Sequence, residues 1–285
     1  MATLLLSILS TSNSQALEIP ADAQGLTEKL ITVSLSAASR QQGVLSTKTG
    51  TTGHTHLAVL LPGYPSVVRP EIDGVSMVKS RLTGNFLVRA RRQLADSQIA
   101  TLVVDCPTDS GDICSQAYQS SQKRFADISM LISAARSEIP SIQKVWLIGT
   151  SMGTVSSSFL AKYGAEQFSG VVHTASVTAP YVQGSFRVLA EFDYGDIKIP
   201  QAFIHHKDDP CGATPYSEAV RITSKFNIPL LTVYGGSRFF GNACDAFTQH
   251  GFRGAEVAVM REIASIMIAG KASSKEIKAA QDTNR

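Results

Sequence analysis

Long apolar runs, a strong net charge and repeated segments are all missing from this 285-residue sequence. No stretch approaches the roughly 18 uninterrupted apolar residues that a membrane-spanning helix needs, so we predict a mature chain without a membrane span. The 26 basic residues against 23 acidic ones leave a net charge of only +3, too small to favour a nucleic-acid partner. The basic cluster Arg89, Arg91 and Arg92 lies in a helical pattern, and we interpret it as a solvated face.

Groups of metal-ligating residues are scarce as well. His54 and His56 form a His-x-His pair at the start of an apolar segment, which would put both rings on one face of a strand. Because no third ligand is in view, we interpret the pair as structural and expect neither a metal ion nor another cofactor.

The N-terminus resembles a secretory signal peptide within residues 1–23, with a short apolar core and small residues at candidate cleavage sites. The positively charged start of such peptides is missing, since the first charged residue is Glu18. The even number of cysteines nevertheless favours an oxidising compartment. We therefore predict a periplasmic or secreted protein, with a cytoplasmic location as the alternative.

Apolar strands alternate with helical patterns through the rest of the chain. After a strand region at 30–36, strands are predicted near 55–61, 99–105, 144–149, 170–175, 201–205 and 230–234. A helix that stops before Pro140 is predicted from the spacing of Phe125, Ile128, Leu131, Ile132 and Ala135. This order predicts an α/β fold, with a mostly parallel central sheet of about eight strands and helices on both faces. We expect one domain over residues 24–270 and a polar tail over residues 271–285.

The most informative stretch is Gly-x-Ser-x-Gly, formed by Gly149, Ser151 and Gly153. Four apolar residues precede it as a strand, and a helical pattern that Gly164 can end follows it. A sharp strand-to-helix turn exposes the serine, and a side chain at either glycine would clash with the neighbouring strand or helix. In this context the segment resembles the nucleophile elbow of the α/β-hydrolase superfamily, which implies that Ser151 is a nucleophile.

The resemblance implies an acid and then a histidine later in the chain. Asp209 follows the apolar run 201–205 in a proline-containing turn and matches the acid position best, while its neighbour Asp208 stays open as an alternative. His250 lies on a loop directly before the last helical pattern, where the family has its base. The imidazole would take the serine proton, and the carboxylate would fix its tautomer.

Donors for a developing oxyanion are also implied. One is the backbone N–H of Met152, the residue after the nucleophile. The second is the N–H of Tyr64 in the loop after strand 55–61, where Pro62 replaces the histidine that is common in the family and Gly63 is retained. The alternative is that this Pro-Gly-Tyr-Pro segment is merely a tight turn.

The implied fold indicates how the four cysteines could pair in disulfides. Cys211 and Cys244 flank the acid and the base, so a triad would bring them to the same face of the sheet and allow a disulfide between the two loops. Cys106 and Cys114 bracket a short loop and could pair with each other. The alternative is four free thiols in a cytosolic enzyme.

Taken with these residues, the resemblance implies a serine hydrolase, most specifically a carboxylic-ester hydrolase acting on a small-molecule ester or acyl substrate. The chain is similar to small dienelactone-hydrolase-like esterases, with a serine in place of their usual cysteine nucleophile. The segment between strands six and seven is too short for a large cap domain. Aromatic and apolar residues between strands six and seven either line the pocket or pack ordinarily: Tyr181, Phe186, Leu189, Phe192 and Tyr194. A thioesterase, peptidase or acyltransferase could use the same residues, and a catalytically silent binding protein is the alternative outside enzymes.

Overall fold

The computed structural model of the protein describes residues 19–179 and 187–279. Most of the predicted signal peptide, Tyr181 and Phe186 of the segment between strands six and seven, and the end of the polar tail lie outside the described residues.

A nine-stranded sheet forms the centre of the described structure, in the order β1-β2-β6-β3-β7-β8-β9-β10-β11. Its strands are β1 (Leu26–Ser34), β2 (Arg40–Lys48), β3 (His56–Leu61), β6 (Ile99–Val104), β7 (Lys144–Thr150), β8 (Gly170–Thr174), β9 (Gln201–His206), β10 (Leu230–Tyr234) and β11 (Glu276–Lys278). All neighbouring strands from β6 to β11 run parallel, whereas β1 and β2 pair antiparallel, and so do β2 and β6. A separate hairpin joins β4 (Glu71–Asp73) to β5 (Ser76–Lys79).

Seven α-helices cover the sheet in the described part of the chain. They are α1 (Phe86–Arg89), α2 (Arg91–Leu94), α3 (Gln116–Gln119), α4 (Gln122–Glu138), α5 (Gly153–Tyr163), α6 (Tyr216–Phe226) and α7 (Glu256–Ala269). Side chains of α1, α2 and α7 share one apolar core with the sheet, and side chains of α4, α5 and α6 share the core on its other face. The predicted mostly parallel sheet with helices on both faces is therefore confirmed. None of the helices in residues 19–179 and 187–279 is long and apolar enough to cross a membrane.

Helix α4 illustrates how the sequence forms these elements. The Ser121 side chain accepts a hydrogen bond from the Arg124 N–H and caps its first turn, and Pro140 lies just beyond its end. The predicted apolar positions Ile128, Leu131, Ile132 and Ala135 are all buried against the sheet. The helical spacing thus identified the buried face correctly.

Two edges of the sheet differ from the prediction. Next to the edge strand β1, β2 is an additional strand, which was missed because its glutamines and its Gly43 weaken the apolar pattern. At the other edge, residues 276–278 of the polar tail pair in parallel with β10 and bury Ile277. A three-residue edge strand with charged ends carries almost no signal in a sequence, since its stability comes from the strand beside it.

The prediction that the basic cluster forms a solvated face is wrong. Arg91 is fully buried, and its guanidinium donates to both carboxylate oxygens of Glu28 on β1, at 2.8 and 3.1 Å, and also to Asp22. Arg89 binds Glu256 on α7, so that only Arg92 of the three is exposed. These acidic partners are distant in sequence, which is why a local pattern could not reveal them.

Candidate active site

Ser151 lies in a tight turn between β7 and α5. Its φ of 51° is in the left-handed region that non-glycine residues seldom adopt, and such backbone strain is common at functional sites. A Cβ on Gly153 would come within 2.0 Å of the Leu61 carbonyl oxygen, and one on Gly149 within 2.4 Å of the Ser157 hydroxyl. The predicted need for glycine on both sides of the serine is therefore confirmed.

His250 approaches Ser151 from the far end of the chain. It belongs to the 3-10 turn Gln249–Gly251, in which the Thr248 hydroxyl accepts a hydrogen bond from the His250 N–H. The next carbonyl, that of Gly251, accepts from the Arg89 guanidinium at 2.6 Å, which ties the turn to α1. The His250 Nε2 lies 3.0 Å from the Ser151 Oγ, within hydrogen-bonding distance.

Asp209 lies on the other side of the His250 ring, in the loop after β9. Its Oδ2 is 3.1 Å from the His250 Nδ1, its Oδ1 accepts from the Cys211 N–H at 2.9 Å, and its side chain is wholly buried. Burial opposes ionisation of this carboxyl, but hydrogen bonds from His205 and His250 outweigh it and hold the pKa of Asp209 well below its usual range. Asp208, the alternative acid, is exposed to solvent, so Asp209 is the carboxylate that contacts His250.

Two further residues contact Asp209, and one of them, Thr214, was not singled out in the sequence. The Thr214 hydroxyl lies 2.8 Å from the Asp209 Oδ2 and 3.1 Å from the His250 Nδ1. The His205 Nε2 lies 3.4 Å from the same carboxylate oxygen and 2.8 Å from the Thr214 carbonyl oxygen. The one available signal was position, because the acid loop runs from β9 to Pro215 and a polar side chain inside it can fold back on the acid.

The loop after β3 forms the opposite wall of the site. A Cβ on Gly63 would lie 3.0 Å from the Ser151 Cβ, so the glycine lets this loop approach the serine closely. Within residues 19–179 and 187–279, no protein oxygen accepts a hydrogen bond from the backbone N–H of Tyr64 or Met152. Both predicted donors therefore flank Ser151 without an internal acceptor, as a site for a developing oxyanion requires.

Ser151 and His250 open into a cavity of about 590 Å³. Its lining includes Phe86 and Val177, which are buried, and Tyr64 and Ile113, which are exposed. The volume lies within the range of small-molecule sites.

Both cysteine pairs are bonded as the implied fold predicts. Cys211 and Cys244 have their Cα atoms 4.6 Å apart and join the acid loop to the loop before His250. Cys106 and Cys114 have theirs 5.7 Å apart, and the Cys114 N–H donates to the Pro65 carbonyl beside Tyr64. Cys211, Cys244 and Cys114 all line the cavity, so each disulfide supports one of its walls.

The other residues considered in the sequence lie elsewhere. The rings of His54 and His56 are buried and contact Thr51 and Thr55, respectively. Leu189 and Tyr194 are fully buried, and Tyr194 packs on Phe203 in the core beside β9 rather than in the cavity. Of the two open interpretations, ordinary packing is the one that applies to these residues.

No protein-family profile and no curated protein sequence matches this chain. Solved structures do. Est1E from Butyrivibrio proteoclasticus superposes with a TM-score of 0.57 at 13% identity, covering 86% of this chain and 98% of its own. The dienelactone hydrolase-like promiscuous phosphotriesterase P91 from metagenomic libraries gives 0.54 at 16% identity, with 86% and 98% coverage.

A third similar structure is brefeldin A esterase, a bacterial homologue of human hormone-sensitive lipase. It superposes with a TM-score of 0.59 at 13% identity and covers 90% of this chain and 81% of its own. At such low identity, likenesses that extend over nearly the whole described chain are likenesses of backbone architecture. The protein has the α/β-hydrolase fold.

Proposed function

We propose that this protein is a serine hydrolase that cleaves a carboxylic ester through an acyl-enzyme intermediate. One observation carries the proposal: the Ser151 Oγ, the His250 ring and the Asp209 carboxylate form a continuous chain of 3.0 and 3.1 Å contacts that opens into the cavity. A hydroxyl with a base on one side and a buried carboxylate behind that base is the arrangement that activates a serine.

The first half of the reaction acylates the serine. The Ser151 Oγ attacks the acyl carbon while its proton passes to the His250 Nε2, and the carbonyl oxygen takes the negative charge. The N–H groups of Met152 and Tyr64 stabilise that oxyanion. When the tetrahedral intermediate collapses, the ester C–O bond breaks and His250 returns the proton to the leaving alkoxide.

The second half releases the acid. Water gives a proton to His250 as its oxygen attacks the acyl carbon, and the second tetrahedral intermediate expels the Ser151 oxygen, which regains a proton from His250. Asp209 keeps its negative charge throughout, because its pKa is held well below the usual range. It therefore fixes the tautomer of His250 and stabilises the imidazolium in both halves.

An ester is the substrate class with the most support. Brefeldin A esterase, one of the structurally similar proteins, is named as an esterase. The cavity is of small-molecule size and has apolar side chains at Phe86, Val177 and Ile113, which suits an uncharged acyl or alkoxy group.

Two assays test the proposal. A fluorophosphonate probe should label the wild-type protein at Ser151, and peptide mapping should locate the adduct there. A panel of p-nitrophenyl esters of increasing chain length should then be hydrolysed with a burst of p-nitrophenol that matches the enzyme concentration. Matched thioesters and peptide anilides serve as comparison substrates, and an unlabelled, inactive protein would refute the hydrolase assignment in favour of a binding protein.

We also propose that the protein works in the periplasm or outside the cell. Two disulfides support this location, because such bonds persist in oxidising compartments and are rare in the cytosol. Cell fractionation with N-terminal sequencing of the mature protein tests it. Recovery from the cytosol with all four thiols free would contradict it.

A further inference from the structure

Thr214 occupies the space between the acid and the base. Its side chain is fully buried, and its hydroxyl oxygen is 2.8 Å from the Asp209 Oδ2 and 3.1 Å from the His250 Nδ1. The Asp209–His250 contact closes the triangle at 3.1 Å. Each of the three groups therefore contacts the other two, which a simple line of acid, base and nucleophile does not require.

The donors in this triangle follow from the acceptors. An ionised carboxylate can only accept, so the single hydroxyl proton of Thr214 goes to Asp209. The hydroxyl oxygen is then free to accept, and the His250 Nδ1–H faces two acceptors at the same distance, the Asp209 Oδ2 and the Thr214 Oγ1. This leaves the lone pair of the His250 Nε2 directed at the Ser151 hydroxyl.

The backbone holds Thr214 firmly in that position. Its carbonyl oxygen accepts from the His205 Nε2 at 2.8 Å, and its N–H donates to the Cys211 carbonyl at 3.0 Å. The preceding carbonyl, that of Ala213, accepts from the N–H groups of Thr178 and Ala179 after β8, each at 3.2 Å. The hydroxyl thus belongs to a segment that is anchored both to β9 and to the loop after β8.

We propose that Thr214 is a positioning residue for the reaction, and that its hydroxyl fixes the rotation and the tautomer of His250 together with Asp209. This inference rests on the proposed function. One acceptor at Nδ1 leaves the ring free to swing about a single hydrogen bond, whereas two acceptors on either side of the N–H restrict that swing. Because small displacements of a general base reduce the rate strongly, the hydroxyl should affect kcat far more than KM.

Three substitutions at Thr214 isolate the hydroxyl from the rest of the side chain. Thr214→Val keeps the volume and removes the hydroxyl, whereas Thr214→Ser keeps the hydroxyl and removes a methyl group. Thr214→Ala compared with Thr214→Ser gives the same test in a smaller side chain, so the experiment does not depend on the valine variant folding. Thr223→Val and Thr223→Ser are the matched controls, since the buried Thr223 hydroxyl donates within α6 to the Ala219 carbonyl, away from the site.

We expect Thr214→Val and Thr214→Ala to lower kcat about 10- to 100-fold with KM changed by less than about twofold, and to slow fluorophosphonate labelling in parallel. The kcat of Thr214→Ser should stay within about threefold of the wild-type value, and the kcat of both Thr223 variants should match the wild-type value. Wild-type kcat in Thr214→Val, or an equal loss in Thr214→Ser and Thr214→Ala, would overturn the inference. Failure of the probe to label the wild-type protein would instead refute the proposed function, so the two failures are distinguishable.

Discussion

Two regions of this molecule bury charged groups, and they do so for different ends. At the carboxyl ends of the parallel strands, Asp209 and His250 lie against Ser151 on a cavity. On one face of the sheet, the buried guanidinium of Arg91 pairs with the carboxylates of Glu28 and Asp22, and none of these three residues lines that cavity. Burial and ion pairing alone therefore do not identify a functional site. What distinguishes the first region is a serine hydroxyl that contacts the buried His250 and opens into a cavity.

The largest expected effect falls on the first region. Ser151→Ala should lower kcat by about a million-fold, because the acyl-enzyme can no longer form, while the melting temperature stays within a few degrees of wild type. Ester hydrolysis and thermal unfolding measure the two quantities. Activity close to wild type would move the nucleophile to another residue.

The acid should come next in effect. Asp209→Asn should lower kcat about 10⁴-fold through the wrong His250 tautomer, with a much smaller effect on KM. Asp208→Asn is the matched control, because its carboxylate is exposed and its main effect should be a small change in surface charge. Steady-state kinetics of both variants decide the matter, and the opposite ranking would make Asp208 the acid.

The second region should respond in stability and not in rate. Glu28→Gln keeps the shape of the side chain but leaves Arg91 without its main counter-charge, which should lower the free energy of unfolding by about 3–5 kcal/mol. Glu71→Gln removes the exposed ion pair to Lys79 and should change it by less than about 1 kcal/mol. Urea denaturation measures both, and kcat of folded Glu28→Gln should match wild type. A loss of kcat in Glu28→Gln would contradict the expectation that this region affects stability and not rate.

The disulfides connect stability to the site to different degrees. Replacing Cys211 and Cys244 by serine removes a bond across a sequence separation of 33 residues, and should lower stability by about 3–4 kcal/mol in the chain-entropy model. It should also lower kcat, because the acid loop and the base loop are no longer joined. Replacing Cys106 and Cys114 should lower stability by about 2.5 kcal/mol and leave kcat less affected. Equal effects on kcat in the two double variants would show that the disulfide between the acid and base loops does not position the base.

The smallest expected effect concerns a buried ring without a counter-charge. Burial lowers the pKa of His173 to about 3. Between about pH 6.5 and pH 3 the unfolded chain takes up a proton that the folded one refuses, so stability falls as the pH drops through that window. From pH 8 to pH 5, wild type should therefore lose about 2 kcal/mol more than His173→Gln. Equal losses in urea denaturation would mean that His173 is protonated in the folded protein.

Much of this arrangement was predictable locally. The strand-turn-helix around Ser151 is specified within about 15 residues, because an apolar run, two indispensable glycines and a helical pattern follow one another directly. The resemblance to α/β-hydrolases implied the acid Asp209 and the base His250, and parallel strands bring their carboxyl ends to one edge, where these residues were expected to join Ser151. The pairing of Cys211 with Cys244 followed from that same expectation.

Other features arose only from contacts between distant segments. The residues near Arg91 in sequence do not indicate its pairing with Glu28, which lies 63 residues away. For that reason the basic cluster was interpreted as a solvated face. Strand β11 depends on hydrogen bonds offered by β10, and Thr214 gains its contacts only when the acid loop folds back beside His250. The sequence by itself determined the class of fold and the candidate site residues, because the turn around Ser151 and the alternation of strands and helices are specified by neighbouring residues. Tertiary structure decided which polar side chains are buried together, because that depends on partners that meet only when the chain is folded.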